Sequence, residues 1–145
     1  MNPEDFLDTA GYLLSANKRE ADRRSCISRA YYGVYSLLKE EMLKGIPLAL
    51  LQSGSLGDRN RINHAGLASR LRISGSPDLQ RLGERLDNLR SARIDADYKL
   101  DKIITQERAA DEYKNATELR DDLKQYGVPQ LVGILKKTLQ SLRPS

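Results

Sequence analysis

The strongest alternation of apolar and polar positions lies between Ser25 and Leu38. Ile27, Ala30, Tyr31, Val34 and Leu38 fall at i, i+3, i+4, i+7 and i+11, which is one face of a helix with 3.6 residues per turn. Arg29, Tyr32 and Ser36 then look out on the next face. Ala30 and Gly33 are small enough for a second helix to approach closely, and the tyrosines add bulk with a polar tip. Gly33 costs about 1 kcal/mol relative to alanine inside a helix, so the pattern implies a packing reason for it. This central helix is expected from about residue 19 to residue 44, where Gly45, Ile46 and Pro47 stop it.

Residues 3 to about 17 predict a first helix. Asn2 is its N-cap, Pro3 takes the first helical position, and Glu4 and Asp5 complement the dipole. Phe6, Ala10, Leu13 and Leu14 form its apolar stripe, and nothing between Ser15 and Ala21 breaks strongly, so the first two helices should run almost without interruption. Residues 45 to about 60 have the composition of a loop, in which Leu48, Ala49, Leu50 and Leu51 can make one helical turn over the core. A shorter helix is expected over residues 63–73, with Leu67 and Leu71 inward. Ser76 and Pro77 then cap and open the next, where Leu79, Leu82, Leu86 and Leu89 repeat at helical spacing as far as about Ile94. Asp95 to Asp101 reads as a connection or a frayed helix end. Thr105 caps a further helix to about Tyr126, with a sparse stripe of Ala109, Tyr113, Ala116, Leu119 and Leu123. Gly127, Val128 and Pro129 break or kink the chain before a last helix over residues 129–142, carrying Leu131, Ile134, Leu135 and Leu139. No stretch carries the period of a strand, and no segment repeats. The fold class predicted is all-α, an up-and-down bundle of four to five helices with an extra helix at the C-terminus.

Length changes this picture little: 145 residues predict one domain over residues 1–145, with its core over about 5–126. No apolar run approaches the roughly 18 residues that cross a membrane, and Met1 to Asp5 do not read as a secretory leader. A single cysteine, Cys26, allows no internal disulfide and, with a single histidine, makes no zinc site. A cytoplasmic protein with no metal, cofactor or membrane partner is therefore expected. No histidine or obvious base accompanies Cys26 in the sequence, so it reads as a packed thiol.

Charge is more informative in its distribution than in its total. Lys and Arg number 24 against 20 Asp and Glu, a net +4. Between Asp58 and Arg93 stand eight arginines and no lysine: Arg59, Arg61, Arg70, Arg72, Arg81, Arg85, Arg90 and Arg93. Four acids (Asp58, Asp78, Glu84 and Asp87) oppose them, so this segment holds the whole net charge. Arginine suits bidentate contacts to phosphate or carboxylate. Two readings stay open: a solvated face that balances acids elsewhere in the fold, or a surface for an anionic partner.

Three segments in this order resemble a known superfamily. Ser28-Arg29-Ala30-Tyr31-Tyr32 in the long helix, Asn63-His64-Ala65-Gly66-Leu67 after the loop, and the stretch from Leu89 to Tyr98 are similar to small stand-alone proteins of the HEPN (higher eukaryotes and prokaryotes nucleotide-binding) superfamily. The resemblance covers residues 5 to about 125. It implies a HEPN-like bundle that dimerises so that paired helices frame a shared cleft. It also implies a protein associated with RNA or a nucleotide, in a toxin–antitoxin or defence-type system, acting as a homodimer through its arginine-rich face. A nucleotidyltransferase antitoxin is the partner implied. Alternatives within the same resemblance are a metal-independent endoribonuclease toxin and a non-catalytic adaptor that binds protein. Catalytic members carry an arginine followed after four to six residues by a histidine. Histidine would act on the ribose 2′-hydroxyl while arginine neutralises the scissile phosphate. Here Arg90 and Arg93 stand at the arginine's place, but Asp97 or Tyr98 falls where the histidine belongs.

The candidate site residues follow. Arg90, Asp97 and His64 are the catalytic candidates. Arg29, Tyr32, Arg93 and Tyr98 are the binding candidates. Arg90 and Arg93 share a helical face, and Asp97 follows Arg93 by four, so an ion-pair network closing the helix end, with Tyr98 over it, competes with a phosphate site. Arg59 and His64 happen to have the motif's spacing, but in a loop-to-helix region, where His64 also reads as a helix-start residue. Arg29, inside an otherwise apolar helix, needs a carboxylate if buried, and Asp97 is the partner expected.

Overall fold

The computed structural model describes residues 2–16, 19–47, 49–50, 57–58, 61–62, 64–72 and 76–141. Its helices are α1 (Pro3–Ala16), α2 (Glu20–Gly45), α3 (His64–Arg72), α4 (Pro77–Tyr98), α5 (Gln106–Tyr126) and α6 (Val128–Ser141). The chain is all-α apart from a two-residue antiparallel ladder in the α2–α3 connection. There β1 (Gly57–Asp58) pairs with β2 (Arg61–Ile62), Gly57 opposite Ile62. No described helix is long and apolar enough to cross a membrane.

The predicted caps are in place. The Glu4 amide donates to Asn2 Oδ1 at 3.0 Å, and Asp5 Oδ2 accepts from the Asn2 amide at 3.2 Å, a reciprocal cap that satisfies exposed donors at the start of α1. Thr105 Oγ1 accepts from the Arg108 amide at 3.1 Å at the start of α5. Gly127 separates α5 from α6 with φ of 95°, a left-handed conformation open to glycine without a Cβ penalty.

Two boundaries and one apolar stripe differ from the sequence pattern. Helix α1 ends at Ala16 and α2 begins at Glu20, with Arg19 in a bend, so the two helices are separate. Helix α4 continues to Tyr98 rather than stopping near Ile94, which places Asp95 and Asp97 on the helix. The buried residues of α1 are Pro3, Leu7 and Ala10, whereas Phe6, Leu13 and Leu14 are half-buried. Leu7, which the expected stripe omits, shares the face of Ala10 and Leu14. Of the expected turn over residues 48–51, Ala49 and Leu50 are described: both are helical, and Leu50 is buried.

Residue contacts divide the chain into two compact units, residues 1–37 with 88–121 and residues 38–87 with 122–145. Helices α2, α4 and α5 contribute residues to both. In the first unit, Ile27, Ala92, Ala96, Ile104 and Ala109 form a buried cluster with Leu14 against it. The small residues have a purpose here. A Cβ on Gly33 would sit 2.6 Å from Leu7 Cγ, so glycine is what lets α1 pack on α2. In the second unit, Leu67 and Leu71 of α3 and Leu79, Leu82 and Leu86 of α4 are buried as their spacing predicts. A Cβ on Gly83 would meet the Ala68 carbonyl oxygen and the Arg72 amide nitrogen, each at 2.9 Å, which is a backbone-to-backbone approach of α3 and α4.

Candidate functional site

The polar groups buried in the first unit gather where the middle of α2 meets the last turns of α4. Ile27, Ala30, Tyr31 and Val34 bury one face of α2, and Tyr35 extends it. Tyr31 and Tyr35 stack, their centroids 5.8 Å apart and planes 14° from parallel, and Tyr32 meets Tyr31 edge-on at 5.5 Å. Burial drives the Tyr31 phenol pKa upward, with Arg93 and Arg90 pulling partly against it, so this hydroxyl remains neutral.

Arg93 enters this aromatic wall from α4. It is 8 % exposed, and its guanidinium carbon lies 5.4 Å from the Tyr31 ring centre, 5.6 Å from that of Tyr32 and 5.9 Å from that of Tyr98. Three π faces therefore replace much of the water that the charge gives up. Its carboxylate neighbour is Asp97, one turn on, at 3.7 Å, longer than a hydrogen bond. Arg93 Nε is buried with no hydrogen-bond partner among the described residues. Asp97 Oδ2 also accepts from the Ser28 hydroxyl at 3.1 Å, which joins α2 to the end of α4. Tyr98 covers the outer side and is itself 70 % exposed.

Arg90, Arg93, Asp97, Tyr98 and Tyr32 thus belong to one unit, and Arg93 brings the last three together. Arg90 is half-buried one turn before Arg93, and its charge reaches Tyr31. Arg29 lies at the margin of the cluster and does not pair with Asp97. It is exposed, and its guanidinium sits 5.8 Å over the Phe6 ring, because its side chain points past α1 while Ser28 and Arg93 occupy the aspartate. His64 heads α3 in the other unit. Arg59, the expected companion of His64, lies outside the described residues. No family model, curated protein or solved structure matches this chain.

The arginines of the second unit have other company. Arg72 lies 3.7 Å from Asp87, Arg85 lies 2.7 Å from Asp122, and Arg81 pairs with Asp78. These pairs are exposed or half-buried, and Arg81 and Arg85 share the lining of a cavity of about 200 Å³ with Asp78, Asp122 and Tyr126. Among the described residues these arginines are paired rather than a row of open guanidinium groups. By sequence the second unit holds twelve basic and seven acidic residues, +5, and the first twelve and thirteen, −1, which sum to the chain's +4.

A second polar cluster in the first unit has no counterpart in the sequence reading. Arg24 of α2 is 13 % exposed at its side chain and donates to the carbonyls of Asp95 and Ala96, at 3.2 and 2.9 Å, and of Lys99 at 3.2 Å, and to that of Lys102. The last carbonyls of any helix lack partners within it, and one guanidinium supplies them here for α4. Arg23 Nε donates to the Ile104 carbonyl at 2.8 Å, and Glu20 Oε1 accepts from the Ile104 amide at 2.9 Å. That amide, with help from Arg24, holds the Glu20 carboxyl below its ordinary pKa. Burial pushes the Asp95 carboxyl upward, but Lys99, Lys102 and Arg108 outweigh it, and its pKa is lowered. The sequence did contain one signal, since Glu20 and Arg24 are four apart. The carbonyls they serve lie more than 70 residues away and carry no side-chain signature. Cys26 is buried, and burial pushes its thiol up to about 11, as suits a packing residue.

Proposed function

We propose that this chain is a HEPN-like domain that binds single-stranded RNA at the Arg93–Tyr98 cluster. The observation that carries the reading is the Arg93 guanidinium, which stands against three tyrosine faces with its Nε–H unpartnered and its carboxylate beyond hydrogen-bond length. A charge so placed has donor capacity left for a phosphate oxygen, and a phosphate brings more negative charge than the partly screened Asp97. Tyr98 is the movable wall. Exposed as it is, it can turn off the guanidinium and stack on a base, which is how proteins read unpaired RNA. Arg90 and Arg29 add cationic flanks. This narrows an arginine-rich face to one cation in an aromatic frame.

The test is fluorescence anisotropy of the full chain with a labelled single-stranded RNA across a salt series. Affinity should fall as salt rises, and Arg93→Met and Tyr98→Ala should each weaken it about tenfold or more. Arg93→Lys should recover only part of the loss, because an ammonium lacks the planar donor fork. Binding that ignores both salt and these substitutions refutes the reading.

A further inference from the structure

The second unit holds a cavity whose walls carry matched charges over an apolar floor. Its volume is about 200 Å³, and Asp78, Arg81, Leu82 and Arg85 of α4 line it with Asp122 and Tyr126 of α5. All six residues belong to that unit. Helical period explains the grouping: Asp78, Arg81 and Arg85 fall at i, i+3 and i+7, and Asp122 and Tyr126 at i and i+4. Arg85 Nη1 donates to Asp122 Oδ2 at 2.7 Å, and Arg81 Nη2 donates to Asp78 Oδ1. Among the described residues, each guanidinium thus spends one nitrogen on its partner, and each carboxylate one oxygen. A guanidinium has five N–H donors and a carboxylate two acceptor oxygens, so both keep most of their bonding capacity. Leu82 is buried beneath them. Exposed ion pairs add little to folding stability, so stability alone gives no reason for two of them to rim one hollow.

We propose that this cavity binds a free α-amino acid with an apolar side chain. Its four charged groups, Asp78, Arg81, Arg85 and Asp122, sum to zero. A dianion entering it would meet both aspartates, and a diamine both arginines. A zwitterion instead finds a partner of opposite sign for each of its ends. Its carboxylate takes donors that Arg81 or Arg85 has left over, in the forked geometry that a guanidinium offers. Its ammonium takes a carboxylate oxygen that those arginines leave open. The side chain then lies over Leu82 and against the Tyr126 ring, out of water. Size sets the limit. A volume of about 200 Å³ falls below the roughly 300 Å³ at which drug-sized ligands begin to fit, which leaves room for one amino acid but not for a peptide. The proposal uses no residue of the Arg93 cluster and is independent of the RNA reading.

Isothermal titration calorimetry of the full chain with L-leucine tests it. The expected result is a single site with a dissociation constant at or below about 1 mM. Isocaproate, which lacks the ammonium, and isoamylamine, which lacks the carboxylate, should each bind at least about tenfold more weakly. Arg85→Gln and Asp122→Asn should each weaken L-leucine about tenfold with little change in unfolding temperature, since both side chains reach solvent. If a variant fails to fold, the wild-type NMR spectrum locates the site: L-leucine should shift the amide signals of Arg81, Arg85, Asp122 and Tyr126. No binding of L-leucine, L-methionine or L-phenylalanine at about 10 mM overturns the proposal. Isocaproate or inorganic phosphate binding as tightly as L-leucine also overturns it, because the cavity is then a plain anion site. Leucine affinity that survives both substitutions, or shifts confined to residues outside the cavity, overturns it as well.

Discussion

Arg93→Met separates a structural from a functional reading of the buried guanidinium. Three ring faces at 5.4, 5.6 and 5.9 Å contribute about 2 kcal/mol together, at the modest end of cation–π energies. The 3.7 Å approach to a partly exposed Asp97 adds less than about 1 kcal/mol. Against these stands the desolvated Nε–H, which costs about 1–3 kcal/mol while it lacks a partner. Methionine has a similar reach and an adaptable thioether, and it removes gain and cost together. Asp97 keeps the Ser28 hydroxyl and contact with water. Folding stability should therefore change by no more than about 1 kcal/mol, or about 4 °C in Tm for a chain of this size. RNA affinity should drop at least about tenfold over the same substitution. Differential scanning calorimetry and anisotropy on one preparation read both. A loss in Tm of more than about 10 °C would show instead that the arginine holds the first unit together.

Gly83→Ala should destabilise by about 1–2 kcal/mol in chemical unfolding, although alanine is the better helix former, because its Cβ would meet backbone atoms of α3 at 2.9 Å. Gly133→Ala, where nothing lies within 4 Å, should instead stabilise by up to about 1 kcal/mol, and equal signs for the two would refute the packing argument. Arg24→Ala should cost about 2–3 kcal/mol and speed hydrogen exchange at the Lys102 and Ile104 amides, since it strips donors from the carbonyls closing α4 and weakens the hold on Glu20. Glu20 has its pKa lowered in the folded chain, first by the Ile104 amide, so its contribution is present above the ordinary carboxylate value near about 4.3 and is lost as pH falls through the lower folded value. Acid titration of stability should accordingly be shallower for Glu20→Gln than for wild type below about pH 4.3, and superimposable curves would refute the bond's role.

Much of the helical layout was legible because burial and period coincide. Leu79, Leu82, Leu86 and Leu89 could serve no helix but an amphipathic one, and Asn2, Ser76 and Thr105 announce helix starts by chemistry local to the chain. Helix ends were harder. The stretch from Asp95 to Asp97 looks polar enough to leave a helix, yet it stays helical where Arg24, far away in sequence, donates to the carbonyls of Asp95 and Ala96. The pairing of Arg93 with Asp97 follows from their spacing of four, and Tyr98 over Arg93 from adjacency. That Tyr31 and Tyr32 complete the frame, and that Arg29 turns to Phe6 instead of Asp97, depends on the rotation of α2 against its neighbours. A one-dimensional pattern leaves that rotation open. Gly33 announces a close helix approach in the sequence, but that the side chain filling it is Leu7 of α1 depends on the same rotation.

Described hydrogen bonds and ion pairs of the α4–α5 connection involve its backbone, Asp95, Lys99 and Lys102, and none uses the side chains of Leu100, Asp101 or Ile103. Shape and surface are therefore specified by separate residues: α2 dictates the path of the loop, and three positions are left to vary. Related chains could replace that triplet wholesale, and so change the face they present, with no cost to the helices on either side. Selection on that face would then leave its mark as rapid divergence at those three sites beside a constant Glu20, Arg23 and Arg24.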